Sequence, residues 1–139
     1  MKKQIGIWID YKHAHLITLN GDQSMIEIIA SEVEDYHPKG GSRSKTPYGP
    51  MEKISEKKYL ERRKNQIGKY FNKVMKMVEY ADEIFIMGPA GAKVGLRNKM
   101  IKTSLFRPYI KGFKSMDSIT ENQKVAETKA FFENKINVA

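Results

Sequence analysis

Apolar residues along this chain come in short runs with two different periods. Gln4 to Asp10 (QIGIWID) and Ala14 to Leu19 (AHLITL) are compact apolar runs joined by the polar Tyr11-Lys12-His13, the layout of a hairpin. Asn20-Gly21-Asp22 follows, and Asn-Gly accepts the positive φ angles of a tight turn. Met25 to Ala30, continuing towards Val33, then completes a three-stranded antiparallel meander. From His37 to Pro50 the pattern stops, because this stretch (HPKGGSRSKTPYGP) has no apolar periodicity and is rich in Gly and Pro. It resumes with a helical period from about Ser55 to Tyr80, where Tyr59, Ile67, Tyr70, Phe71, Val74 and Met77 recur between charged positions. Glu83 to Met87 (EIFIM) is continuously apolar, as a strand buried on both faces should be. A glycine turn, Gly88 to Lys93, leads to a second helix carrying Val94, Leu96, Met100 and Ile101. Tyr109, Ile110 and Phe113 mark a last strand within Arg107 to Met116. Thr120 caps a third helix with Val125, Ala126, Phe131, Phe132 and Ile136 as its apolar positions.

The predicted order is β-β-β-α-β-α-β-α, without internal repeats. Its late β-α-β units require parallel crossovers, so the fold class is α/β, a mixed and mostly five-stranded sheet with helices on its faces. The fourth strand should be central with the first beside it, and the core should hold Ile7, Ile9, Ile17, Ile28, Phe71, Val74, Ile84 and Ile86. A chain of 139 residues is one domain, taken here as 1–139.

Charge changes the picture in one place. The chain carries a formal net charge of +9, and residues 37–73 alone hold eleven Lys and Arg against three Glu. Lys39, Arg43 and Lys45 lie in the unpatterned stretch; Lys57, Lys58, Arg62, Arg63 and Lys64 follow on the helix. A mobile basic loop over about 35–55 therefore leads into a basic helix, and such a concentrated patch favours a polyanionic partner. The alternative is a solvated helix face. No cysteine is present, which excludes disulfides and thiolate metal sites, and three scattered histidines give no zinc spacing. Nothing resembles a membrane span or signal peptide, so the expected location is the cytoplasm, with no membrane partner.

Three smaller features carry weaker chemistry. Gly88, Gly91 and Lys93 would form an anion-binding turn at a helix start, but the lysine does not follow the second glycine as in phosphate-binding loops, and helix-start packing explains the turn better. His13 and His15 project from one strand face, the geometry of a metal pair, although surface histidines are the simpler reading. Asp10 ends the first strand where a nuclease would place a metal-binding acid, yet the convergent carboxylates for two metal ions are missing. No metal and no cofactor are expected.

These residues in this order resemble the middle domain of archaeal and eukaryotic peptide-chain release factors and of the ribosome-rescue protein Pelota. Gly6-Ile7-Trp8-Ile9-Asp10 with Ala14 resembles the family's opening strand and turn. Lys39-Gly40-Gly41-Ser42 falls where release factors carry a Gly-Gly-Gln loop. Tyr59 to Asn65 (YLERRKN) is similar to the basic start of their long helix, and Ile84 to Lys93 (IFIMGPAGAK) to their strand, glycine turn and following helix. Short bacterial stand-alone proteins look similar too. The resemblance implies a ribonuclease H-like sheet of the kind found in ribosomal proteins L18 and S11, and a ribosome or tRNA partner.

One departure matters. Release factors place a Gln after the two glycines to help position the hydrolytic water, and this chain has Ser42 there, whose short hydroxyl cannot match the reach of a Gln amide. Pelota also lacks the Gln and acts without hydrolysis. The leading expectation is therefore a translation-associated RNA-binding module, with Lys39, Arg43, Lys45, Lys57, Lys58, Arg62, Arg63 and Lys64 as RNA contacts, leaning away from enzyme activity. The alternatives are a peptidyl-tRNA hydrolase of release or rescue type using Gly40, Gly41 and Ser42, and a small-ligand or nucleotide-binding domain using the Gly88–Lys93 turn. Room is left for a protein partner of unstated identity.

Overall fold

The computed structural model describes residues 2–35, 49–89 and 91–133, with the side chains of 49–54 excepted. Its elements are β1 (Gln4–Ile9), β2 (His13–Asn20), β3 (Gln23–Ala30), α1 (Gly49–Val78), β4 (Glu83–Gly88), α2 (Ala92–Lys102), β5 (Tyr109–Ser115) and α3 (Glu121–Glu133). The strands form one sheet in the order β3-β2-β1-β4-β5. β1 pairs antiparallel with β2 and parallel with β4, β2 pairs antiparallel with β3, and β4 pairs parallel with β5. Element order and mixed sheet are as the patterning predicts.

The core has two layers because the strands alternate. Ile5, Ile7 and Ile9 of β1 with Ile84 and Ile86 of β4 pack under α1 and α2, against Tyr70, Phe71, Val74, Leu96 and Met100. Trp8, Ile17, Phe85 and Met87 point the other way, to Phe132 of α3. Burying each such aliphatic side chain contributes about 1.5–3 kcal/mol. α3 is fixed at its start by a capping box: Gln123 N–H donates to Thr120 Oγ1 (3.1 Å) and Thr120 N–H to Gln123 Oε1 (2.9 Å). Among the described residues no helix is long and apolar enough to cross a membrane.

Four details differ from the sequence expectation. The middle strand is β1, with β4 beside it, because the β2–β3 hairpin adds two strands on one side of β1 while only β5 lies beyond β4. Ile28 is 52% exposed and Ile29 is buried instead. Ile28 sits opposite His15 on the α3 face, and α3 packs chiefly on β1 and β2, with Ile26 the residue of β3 that reaches the core on that side. β3 ends at Ala30, and Glu32 takes a left-handed φ of 57°, which strand pairing does not accommodate. Finally, α1 begins at Gly49, so it takes the last part of the stretch expected as loop. Gly49-Pro50 explains the early start, since proline has no N–H to lose at a first helical turn and its φ is already helical. The rest of that loop, with Lys39, Gly40, Gly41, Ser42, Arg43 and Lys45, and also Ile136, lies outside the described residues.

Candidate nucleic-acid interface

The basic start of α1 is built from two kinds of cation. Lys57, Lys58 and Lys64 are exposed, and no carboxylate among the described residues pairs with them. Arg62 and Arg63 turn instead to the chain leaving β3. The Arg62 guanidinium grips Glu34 through both carboxylate oxygens, from Nε (2.6 Å) and Nη2 (2.9 Å). This fork holds the Glu34 carboxyl below the usual carboxylate range and raises Arg62 above its own ordinary value. Arg63 Nε donates to the Glu34 carbonyl (3.1 Å), Gln66 Oε1 accepts from Glu34 N–H (3.0 Å), and the Tyr59 hydroxyl donates to the Asp35 carbonyl. Residues 34 and 35 are thus pinned along one helix edge by four side chains spaced three or four apart. With about 1.5 Å of rise per residue, Asp35 is anchored roughly 15 Å along α1 from its first residue. Residues 36–48 connect these two points.

The same corner is tied to the sheet. Arg63 lies 5.3 Å from the centroid of the Tyr11 ring, in the β1–β2 turn, and the same ring lies close to Gly91 at the start of α2, where a Cβ would fall 3.2 Å from Tyr11 Cε2. The turn itself is held by Asp10, whose Oδ1 accepts from Lys12 N–H (2.8 Å) and His13 N–H (2.7 Å). Its carbonyl accepts from the Tyr70 hydroxyl (2.8 Å), and burial pushes that phenol well above its ordinary value. Asp10 is thereby a turn-capping residue. No group of three His, Asp or Glu among the described residues is arranged to hold a metal ion.

Other sequence candidates lie elsewhere. Gly88 has a φ of 137° and passes so close to β1 that a Cβ would fall 2.3 Å from the Ile9 carbonyl oxygen. The glycine is needed for this crossing of strand ends. Lys93 is buried at 2% exposure, with its ammonium 5.0 Å from the centroid of Phe113. It therefore belongs to the packing of α2 on β5, and the structure does not bring it together with Gly88 and Gly91 as a phosphate cradle. His13 and His15 do share a face, ring centroids 6.4 Å apart. His15 meets Trp8 edge-on at 5.8 Å, and Lys124 Nζ lies 3.4 Å from both of its ring nitrogens. Burial first, then the neighbouring Lys124, lowers the His15 pKa, and burial lowers that of Lys124.

Sequence reading missed Glu34, Tyr59 and Gln66 as partners of the arginines. Tyr59 and Gln66 share a helix edge with Arg62 and Arg63, but Glu34 lies up to 32 residues away in sequence, and no local pattern joins it to them.

No protein-family model and no curated protein matches the chain. Among solved structures, Pelota from Thermoplasma acidophilum superposes with a TM-score of 0.54 at 12% identity, covering 94% of this chain and 32% of that one. The chain has a Pelota middle-domain-like fold. It spans about a third of that protein's length. The archaeal translation termination factor aRF1 aligns with a TM-score of 0.46 at 14% identity, over 98% of this chain and 41% of that one. The resemblance carried by the glycine turn, the basic helix and the opening strand thus holds at the level of the Pelota fold.

Proposed function

We propose that this chain acts in translation as an RNA-binding module that engages the ribosome or tRNA, with α1 as its anchor and residues 36–48 as its probe, and that it does not hydrolyse peptidyl-tRNA. The observation that carries the reading is the presence of three exposed lysines, Lys57, Lys58 and Lys64, with no carboxylate partner among the described residues, on the helix into which the basic segment with Lys39, Arg43 and Lys45 runs. Lysines left to solvent suit phosphate contacts, which position a protein on nucleic acid without reading bases. The Pelota-like fold supports a role in translation, and Ser42 in place of Gln supports binding without hydrolysis. Arg62 and Arg63, expected from sequence as RNA contacts, act in this reading chiefly to hold residues 34 and 35 against α1.

Co-sedimentation with ribosomes at 50 and 200 mM salt, as rough working values, tests it. Replacing Lys57, Lys58 and Lys64 together with Ala should weaken association and shallow the log–log salt slope by about 2 to 3, since each phosphate contact contributes about 0.7–0.9. Ser42→Ala should leave association intact, because one neutral hydroxyl adds little beside several charged contacts. An unchanged slope in the lysine variant would remove α1 from the mechanism. Turnover of a peptidyl-tRNA substrate that disappears in the Ser42→Ala protein would replace the proposal with hydrolysis.

A further inference from the structure

The opposite edge of the sheet carries a second cationic surface of a different kind. Residues 97–115 contain six Lys and Arg and no Asp or Glu. Three of the most exposed large apolar side chains of the described residues stand in the same stretch: Ile101 (67%), Leu105 (88%) and Tyr109 (67%). Ile101 and Tyr109 line an open cleft of about 620 Å³ between the end of α2, the connection 103–108 and β5, together with Arg97, Met100, Phe106, Ile110 and Phe113, and Leu105 stands in the same connection. Arg97 lies flat on Phe113, 4.0 Å from the ring centroid. Its Nε is buried without a hydrogen-bond partner, and no carboxylate among the described residues pairs with its guanidinium. β5 is the outer strand of the sheet, so along its free edge no described strand takes up the main-chain N–H and C=O groups.

These features select an occupant. Apolar side chains clustered on a surface mark an interaction site. An open strand edge offers main-chain hydrogen bonds to an extended peptide. Lys111 meets Glu83 (3.6 Å) and Lys114 meets Glu127 (3.0 Å), but Arg97, Lys99, Lys102 and Arg107 have no carboxylate partner among the described residues, and cations so placed favour negative charge on a partner. A single-stranded nucleic acid would satisfy the charge, but it binds by stacking bases on open aromatic faces. Here Arg97 already covers Phe113, and beside the one exposed aromatic of the stretch, Tyr109, the exposed area of Ile101 and Leu105 is aliphatic, so successive bases find no run of stacking faces. A second copy of this chain is disfavoured by a net charge of +9 on each molecule. We propose that the β5 edge and its cleft dock an extended, acidic segment of a partner protein, which adds a sixth strand beside β5, seats apolar side chains against Ile101 and Phe106 in the cleft and against the exposed Leu105 next to it, and pairs its carboxylates with Arg97 and Arg107. This surface is independent of the RNA-binding reading of α1.

The test uses the full chain and a fluorescein-labelled peptide of about ten residues with Glu and Leu alternating, a length matched to a strand. Anisotropy should rise saturably, and amide shifts should concentrate in residues 97–115. Leu105→Glu combined with Arg107→Glu should weaken binding at least about tenfold, because both positions then repel the peptide. Both side chains are exposed, so the variant keeps its thermal melt, and its co-sedimentation with ribosomes stays that of the unaltered chain. Arg97→Gln should weaken binding as a second, charge-only variant. Three results would each overturn the proposal: no saturable binding of the acidic peptide, equal binding of the same peptide with Lys in place of Glu, or equal binding by the Leu105→Glu, Arg107→Glu protein. Tighter binding of an oligouridylate of the same length, lost in that variant, would overturn it in favour of a nucleic-acid site.

Discussion

At Gly6 α3 lies tight against the sheet, which gives a direct test of the packing. A Cβ added there would lie 2.3 Å from Thr128 Oγ1 and 2.7 Å from its Cγ2. Thr128 cannot easily turn away, being fully buried with Oγ1 donating to the Lys124 carbonyl at 2.9 Å. Gly6→Ala therefore forces α3 outward or breaks that hydrogen bond, and overpacking of this kind costs about 1–3 kcal/mol. For a chain of this size the melting temperature should fall by roughly 3–10 °C. Thr128→Ala alone removes a methyl group and a hydrogen bond, at about 1–2 kcal/mol. The double variant removes both colliding atoms, although Thr128 Cβ remains 3.0 Å from the new methyl. Its loss should fall short of the sum of the two singles by about 1 kcal/mol or more. Urea unfolding followed by far-UV circular dichroism, with a common m value, measures all four corners of the cycle. Additivity within about 0.5 kcal/mol would refute the claim that these residues touch.

Arg62→Lys keeps the charge but loses the fork on Glu34, so hydrogen exchange at residues 31–35 should quicken while the salt slope of ribosome association stays unchanged. Because Glu34 is held below the usual carboxylate range, the contact is complete above that range and lost as pH falls through the lowered value; exchange at residues 31–35 followed down the acid limb should show this, and should lose the dependence in Glu34→Gln. His15 titrates below its ordinary value of 6.5, so in the window between the two the unfolded chain binds more protons and stability should rise with pH. Thermal melts across that window should show the rise, and His15→Gln should flatten it.

The sheet was legible from the sequence because its signals are local. Asn20-Gly21-Asp22 marks the β2–β3 turn, where Gly21 takes the positive φ and Asn20 stays paired with Gln23, the unbroken EIFIM run needs cover on both faces, and Thr120 caps α3 with Gln123 three residues on. What was not legible depends on where elements cross. Ile28 has the same composition of neighbours in sequence as a buried residue, and only the path of α3 over β1 and β2 leaves it exposed. The interface is the same case: a count of charges cannot distinguish Lys57 from Arg62, because the acid that engages Arg62 lies 28 residues away. The spacing of Lys93 from the two glycines already favours helix-start packing over a phosphate site, but that its ammonium lies over Phe113 depends on how α2 meets β5.

The choice of side chain on α1 follows from what each cation has to do. Glu34 presents two oxygens in a plane, and a guanidinium fork engages both, which an ammonium cannot. Arg63 uses the flatness of the same group twice, donating to the Glu34 carbonyl while its face covers Tyr11. Tyr11 in turn lies close to Gly91, so the end of β3, the β1–β2 turn, α1 and α2 meet through one aromatic ring. Lysine would fill neither role, and the positions given to lysine are those where neither is asked. Lys57, Lys58 and Lys64 keep compact, hydrated charges on flexible stems, suited to an irregular phosphate surface. The arginines thus hold residues 34 and 35 against α1, and the lysines flank the same stretch of the helix with charge. A uniformly basic helix would have supplied the charge without holding residues 34 and 35.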